Sequence, residues 1–252
     1  MISGFSFIHN ALNGGYPIFE AIEAVQPFVD EIVIVDMESN DGTRELLERM
    51  PGVRVEKGLW IRDQDENVLD LAHAMHTIYC KGDVILHFEG DEVFERRLVE
   101  HLVTLIRRGG HDQIAVQRVQ VEQNFQRVRW WPGPYPVHRV FKNGSVTKKG
   151  HTTDLHDITH LVSGNNGFLW DVTNCFRDNW LGRINQQAEI WHQPNMRMVR
   201  YHANLGFDVV GDLQAFLAQD YWTWKETPLA VPAILRTLLG VTDYREYCRA
   251  RR

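Results

Sequence analysis

Two groups of carboxylates stand where a divalent cation and a diphosphate would need them. Asp36 ends the apolar run Glu31-Ile32-Val33-Ile34-Val35, and Glu89-Gly90-Asp91-Glu92 follows the run Asp83-Val84-Ile85-Leu86-His87-Phe88 directly. Carboxylates within three residues of one another repel unless something positive lies between them, and oxygen ligands of this kind suit Mg²⁺ or Mn²⁺. An ion held there would bridge to a diphosphate, neutralise its charge and stabilise it as a leaving group. Gly90 lets the backbone come close to a ligand. Each piece also has a plainer account. Asp36 alone is a polar strand end, Ser39 to Thr43 a helix cap, and Glu89 to Glu92 the acidic start of a helix, stabilised by its dipole. Their order along the chain and their common place after buried runs set the chemical account above three coincidences.

Such residues meet only if a sheet carries them, because in open α/β sheets ligands bind in the crevice outside the carboxyl ends of the strands. The first half alternates β-rich runs with helical patterns, which predicts a mostly parallel sheet with helices on its faces. Phe5 to His9 reads as a first strand, and Pro17 opens a helix with Ile18, Ile22 and Val25 on one stripe. Glu31 to Asp36 is too continuously apolar for a half-exposed strand and belongs near the sheet centre. The turn Glu38 to Thr43 leads into a helix from Thr43 to Met50, and Val53 to Val55 is a short third strand. Val68, Leu71, Ala72, Met75 and Ile78 recur at helical spacing before the buried strand Asp83 to Phe88. Asp36 and the Glu89 cluster are thereby expected on neighbouring strands, facing one crevice. A further helix carries Leu98, Leu102, Leu105 and Ile106 on one face. Beyond Gly109-Gly110 the pattern changes to hairpin strands at Ile114–Val121 and Val137–Phe141, with Asn143-Gly144 as a turn. A His-rich loop from His151 to His160 and a helix from Phe176 to Trp191 follow, and Pro228 and Pro232 break the helical last stretch. No repeat, low-complexity tract or linker divides residues 1–252, so one domain is expected, with halves 1–110 and 111–252.

Composition narrows the field. At 44% hydrophobic and 24% charged, the 252 residues exclude a disordered, collagen-like or coiled-coil chain. Residues 1–100 hold 20 Asp/Glu against 8 Lys/Arg, and the remainder holds 13 against 19, so the halves differ in sign within a net charge of -6. With no long basic run, the chain has little attraction for nucleic acid. Three cysteines, Cys80, Cys175 and Cys248, fall in no metal-binding spacing and fit a reducing compartment. The first residues lack a charged and apolar leader, and no apolar stretch approaches the roughly 18 residues of a membrane span, so a cytoplasmic protein is expected.

Taken together, Val29-Asp30-Glu31-Ile32-Val33-Ile34-Val35-Asp36, Ser39-Asn40-Asp41-Gly42-Thr43, and Gly82-Asp83-Val84-Ile85-Leu86 before Glu89-Gly90-Asp91-Glu92 resemble a family 2 glycosyltransferase of the GT-A fold. The resemblance covers the first hundred residues well. It implies a Rossmann-like, mostly parallel sheet with flanking helices, plus a divergent C-terminal part of hairpin strands and helices. It further implies that Asp36 contacts the nucleoside and that Glu89 and Asp91 are the acidic positions of an Asp-x-Asp metal motif around Gly90. Glu89 departs from the usual Asp, and Glu92 is the acidic residue commonly following the motif. Asn10 falls where the family often has Asn after the first strand, and Arg62 or Asp63 resembles the later base-contact position.

In the second half, Trp130-Trp131, His138-Arg139-Val140-Phe141 and Gly150-His151 resemble a segment where relatives carry an Arg-x-Phe strand and then an acceptor loop containing His. An inverting transfer needs a carboxylate on the face opposite the leaving diphosphate, and Asp154 and Asp157 are the candidates for that base. His151 or His156 would complete the metal shell or else be solvated loop residues, and Arg139, Lys148 and Lys149 would balance diphosphate charge. Trp130 or Trp131, beside Pro132-Gly133-Pro134, offers a ring for stacking on a sugar. Trp222 and Trp224 with the apolar Leu229–Leu239 segment read as core, with a dimer contact or a peripheral membrane patch as alternatives.

Three other readings compete. His156 and His160, four apart on a helix, could with Asp157 bind zinc for hydrolysis, although the flanks are not His-Glu-x-x-His. A nucleotidyltransferase would need a Gly-rich phosphate loop, for which Asn13-Gly14-Gly15 is a poor substitute. A glycan-binding module would use Trp130 and Trp131 without turnover. The expectation is metal-dependent transfer of a hexose from a nucleotide sugar, a UDP-sugar above others, to a saccharide or other hydroxyl acceptor, with Mn²⁺ or Mg²⁺.

Overall fold

In the computed structural model, residues 1–58, 72, 74–109, 113–122, 127–129, 135–144, 160–162, 164–174, 176, 179, 224–226 and 231–251 are described. A parallel unit of four strands forms one end of the sheet: β1 (Ile2–Ile8), β2 (Glu31–Asp36), β3 (Val53–Lys57) and β4 (Val84–His87). β1 lies between β4 and β2, with β3 outside β2. Apolar side chains alternate between the two faces of β2, Ile32 and Ile34 joining the larger core and Val33 and Val35 the smaller. Burial on both faces is what the uninterrupted Ile/Val run demanded. Asp36 and the Glu89 turn are therefore not on neighbouring strands: β1 separates them, because the chain order reverses between β1 and β4. That reversal is the topological switch point, where an open sheet leaves a crevice.

The second half extends the same sheet with antiparallel pairs. β5 (Glu92–Phe94), β6 (Gln113–Glu122), β7 (Arg127–Arg129), β8 (Tyr135–Lys142), β9 (His160–Val162), β10 (Leu169–Asn174) and β11 (Trp224–Glu226) complete it. β8 is the seam, running antiparallel to both β4 and β6. β10 runs parallel to β6 and antiparallel to β5, so it lies between the two. The helices are α1 (Ala11–Gly14), α2 (Ile18–Val25), α3 (Thr43–Leu47), α4 (His76–Tyr79), α5 (Arg96–Arg108), α6 (Ala233–Arg236) and α7 (Tyr244–Arg251). α3 is shorter than the expected Thr43–Met50 helix, its last turn tightening into Met50 N–H to Leu47 carbonyl bonds. In α5, Leu98, Val99, Leu102 and Val103 are buried and Leu105 and Ile106 pack beside them. Of the expected 176–191 helix only Phe176 and Asn179 are described. Phe176 is buried, with its ring centroid 5.3 Å from that of Tyr244. Leu235 and Leu238 enter the main core, which makes that apolar stretch a core segment at these positions. Among the described residues, no helix is long and apolar enough to cross a membrane.

α7 is fastened to α2 by a buried carboxyl. The Tyr244 hydroxyl donates to Glu20 Oε2 at 2.5 Å, the Tyr247 hydroxyl to Oε1 at 3.4 Å, and Arg251 Nη1 lies 3.7 Å from Oε1. Burial pushes the Glu20 carboxyl above its ordinary range, and the bond from Tyr244 offsets this only in part. A carboxyl raised in this way stabilises the fold fully below its unfolded pKa and loses that contribution as pH rises through the folded value. Glu20→Gln keeps an acceptor for Tyr244 without burying a charge. Its thermal midpoint is expected to exceed that of wild type at pH 8, with the gap closing toward pH 4.5, as read by calorimetry across that range.

Candidate active site

The loops after β1 and β2 are bound to one another by side chains that replace missing backbone partners. Asn10 N–H donates to Ser39 Oγ at 2.8 Å and Asn40 N–H to Asn10 Oδ1 at 2.8 Å. Leu12 N–H donates to Thr43 Oγ1 at 3.2 Å and Asn13 N–H to Asp41 Oδ2 at 2.8 Å. Asp41 Oδ1 also accepts from the N–H and hydroxyl of Thr43, at 3.0 and 2.6 Å, which caps the start of α3. His9 donates from Nδ1 to Met37 O at 2.5 Å, and Asn10 Nδ2 donates to His9 Nε2 at 3.0 Å, so one neutral tautomer serves both bonds. Two non-glycine residues, Asn10 (φ 50°) and Glu38 (φ 58°), hold left-handed backbone here. Such conformations persist only where surrounding bonds over-determine them.

Asp36, 1% exposed, lies at the floor beneath these loops. Its Oδ2 accepts from Ser39 N–H at 3.3 Å and lies 3.6 Å from Arg44 Nη1. Its Oδ1 is buried without a hydrogen-bond partner among the described residues. An unmatched carboxylate oxygen at the end of a parallel strand is an acceptor for a donor that none of the described residues supplies.

Beyond β4, the residues Glu89 to Glu92 form a β-turn closed by Glu92 N–H to Glu89 O at 3.1 Å. Gly90 and Asp91 are its corner. The space a side chain on Gly90 would need is occupied by Ile8, whose Cδ1 would lie 2.5 Å from an added Cβ. Any larger residue here would have to displace the tip of Ile8 on β1. The backbone carbonyl of Asp91 accepts from Val172 N–H at 2.9 Å, tying the turn to β10.

The two ends of the turn share one guanidinium. Arg139 Nη2 donates to Glu89 Oε1 at 2.7 Å and to Glu92 Oε1 at 2.6 Å, while Nε donates to Glu92 Oε2 at 2.6 Å. Arg118 Nη1 reaches the same Glu92 Oε1 at 2.8 Å and lies 3.8 Å from Asp171 Oδ2. Burial alone would raise Glu92, but Arg139 and Arg118 outweigh it and hold the carboxyl down at about 2. Glu89 is raised: desolvation under the sheet edge, aided by Glu92 and Asp171, exceeds the help from Arg139. Its side chain nevertheless keeps 36% of its surface, so it is the partly exposed end of the turn.

The structure therefore brings Asn10, Asp36, Glu89, Gly90 and Asp91 to the strand ends and gives three expected contacts other work. The sequence places Asn10 at the nucleotide sugar, but both ends of its amide are engaged, Oδ1 by Asn40 in the loop after β2 and Nδ2 by the neighbouring His9. Glu92 and Arg139, expected at substrate, are paired with each other instead: β5 carries Glu92 inward onto β10, where Arg118 and Arg139 compensate its charge. Arg139 Nη1 is also used, donating to His138 O at 2.9 Å. Arg62, Asp63, Trp130, Trp131, His151, Asp154, His156 and Asp157 lie outside the described residues. His160 opens β9, paired with Ile114, and so stands in a strand where the zinc reading expects a helix. Arg118 and Asp171 escaped the sequence reading, although a lone charge inside an apolar β-run was the available signal of a buried ion pair.

A parallel β4-β1-β2-β3 unit with acidic groups at its switch point, extended by antiparallel strands, defines a GT-A-type transferase. Residues 11–176, more than half of the chain, match glycosyl transferase family 2, and the protein belongs to that family. Similar solved structures include *S*. aureus TarS 1-349 in complex with UDP, at 12% identity and TM-score 0.46, covering 87% of this chain and 70% of that one. The same TarS fragment with UDP-GlcNAc gives 11% identity and TM-score 0.45 over 79% of this chain and 69% of that one. Glucosyl-3-phosphoglycerate synthase from Mycobacterium tuberculosis, in complex with Mn²⁺, UDP and phosphoglyceric acid, gives 21% identity and TM-score 0.37 over 48% of this chain and 43% of that one. No curated protein matches the chain by sequence.

Proposed function

We propose that this glycosyltransferase moves a hexose from a UDP-sugar to a hydroxyl of a saccharide acceptor, with inversion, using Mn²⁺ or Mg²⁺ at the Glu89–Asp91 turn. The observation that carries the reading is the acidic turn at the switch point, one strand away from a buried Asp36 with an unmatched oxygen. Charge and ligand type fit such an ion. Glu89, Glu92 and Asp171 set three carboxylates against the guanidiniums of Arg118 and Arg139, and Glu89 and Asp91 supply oxygen ligands of the kind such an ion takes. No group of three or more His, Cys, Asp or Glu among the described residues is arranged to hold a metal alone. Mg²⁺-type sites need no such cage, since one or two carboxylates, water and substrate phosphate complete the shell. When bound, the ion would neutralise the charge that develops on the departing diphosphate.

The chain's own residues do the rest. Asp36 Oδ1 accepts a hydrogen bond from the nucleoside, and the bonded loops after β1 and β2 hold that subsite in shape before the donor arrives. Glu89 and Asp91 face the diphosphate side. The acceptor hydroxyl attacks the anomeric carbon from the opposite face and gives its proton to a carboxylate, for which Asp154 and Asp157 are the candidates. The test is incubation with a panel of UDP- and GDP-sugars and Mn²⁺, read as released nucleotide. Slow release from UDP-sugars that stops on chelation is the expected result; equal release from every donor, or release indifferent to chelator, would overturn it.

A further inference from the structure

The shared guanidinium at the turn does more than neutralise charge. Arg139 is fixed on three sides: Nη1 on His138 O at 2.9 Å, Nε on Glu92 Oε2 at 2.6 Å, and Nη2 on Glu92 Oε1 at 2.6 Å. Glu92 is in turn fixed by Arg118, at 2.8 Å. Arg139 Nη2 is therefore an immobile point rooted in three strands, and it takes hold of Glu89 Oε1 at 2.7 Å. Glu89 is the one member of the cluster with substantial exposure. A glutamate there has one more rotatable bond than an aspartate, and an unrestrained one would have to be ordered when the cation binds.

We infer that Arg139 is a positioning residue for the cation site: it holds one oxygen of Glu89, so that the carboxylate meets a divalent ion through its other oxygen, Oε2, in an orientation set beforehand. This rests on the metal reading proposed above. It also explains how Glu serves at a position where the family resemblance implies Asp. The extra reach is used to lean on Arg139. Outer partners of this kind commonly govern metal affinity as strongly as a ligand does, and losing one costs about 10- to 100-fold.

The test is Mn²⁺ affinity, read from the free-ion EPR signal on titration of MnCl₂ with UDP present. Arg139→Ala would strand Glu92 in the interior, so the working variant is Arg139→Lys, which keeps the charge but cannot hold both glutamates in the same fork. Affinity is expected to fall about tenfold in R139K, and R139K is expected to cost nothing further in an E89Q background. A second variant, Glu89→Asp, sits at a partly exposed position that does not threaten the fold and draws the carboxylate back from Arg139. It is expected to weaken Mn²⁺ binding severalfold although it restores the commoner residue type. Wild-type affinity in R139K or in E89D overturns the inference, as does an equal loss from R139K with and without Glu89. Absence of Mn²⁺ binding by wild type would overturn the metal reading itself and this inference with it, a result distinct from all the others.

Discussion

Replacing Asp91 by Asn is expected to lower sugar-transfer turnover by about a hundredfold or more, the scale seen when one group stabilising transition-state charge is lost. The fold should survive the change. Asp91 is at the corner of its turn, and the bond that ties the turn to β10 uses its backbone carbonyl, not its carboxylate. The amide keeps the size of the side chain and removes a formal negative charge from the turn. The donor diphosphate then loses a share of the attraction that the cation would supply, and more Mn²⁺ should be needed for half-maximal rate. Turnover measured against MnCl₂ concentration, with a thermal midpoint taken on the same sample, separates this from unfolding. An unchanged rate would remove Asp91 from the site.

Replacing Glu92 by Ala should strike the fold instead. The residue is fully buried and is the common partner of Arg118 and Arg139, so its loss leaves two guanidiniums short of their counter-charge. Breaking a buried pair from one side costs about 3–5 kcal/mol, which in a chain of this size lowers the thermal midpoint by roughly 10 °C. The effect should depend on pH in a defined sense. Glu92 is depressed to about 2 from a reference of 4.5, so its contribution is present above the unfolded value and is lost as pH falls from about 4.5 toward 2. The difference between wild type and E92A, measured by urea denaturation, should be full at pH 7 and narrow steadily through that acid window. A constant difference would mean that the lost contribution was packing and not charge.

These two neighbours show how far adjacent letters of a sequence can part company. Glu89, Asp91 and Glu92 look alike in the chain, and the family resemblance carried all three toward ligand. Their roles diverge because a turn closes at Glu92 and a strand begins there, and strand pairing aims that residue at β6 and β8 while Glu89 stays at the rim. Arg139 moved in the same way, from an expected diphosphate contact to the buried link between two glutamates.

What the sequence determined by itself was whatever depends on near neighbours. The alternation of Ile and Val in β2, the apolar stripe of α5 and the cap residues between Asp36 and Thr43 each act over a few positions, so the strands, the helices and the acidic strand ends could be read directly. The order of strands and the ionic cluster belonged to the tertiary structure. Glu89 and Asp171, the ends of the set that includes Glu92, Arg118 and Arg139, are 82 positions apart, and nothing local tells a charge whether its counter-charge is water, a ligand or a side chain from another strand. Only the folded sheet decides that, because desolvation makes pairing compulsory for the charges it encloses and leaves the partly exposed ones at its edge in reach of solvent.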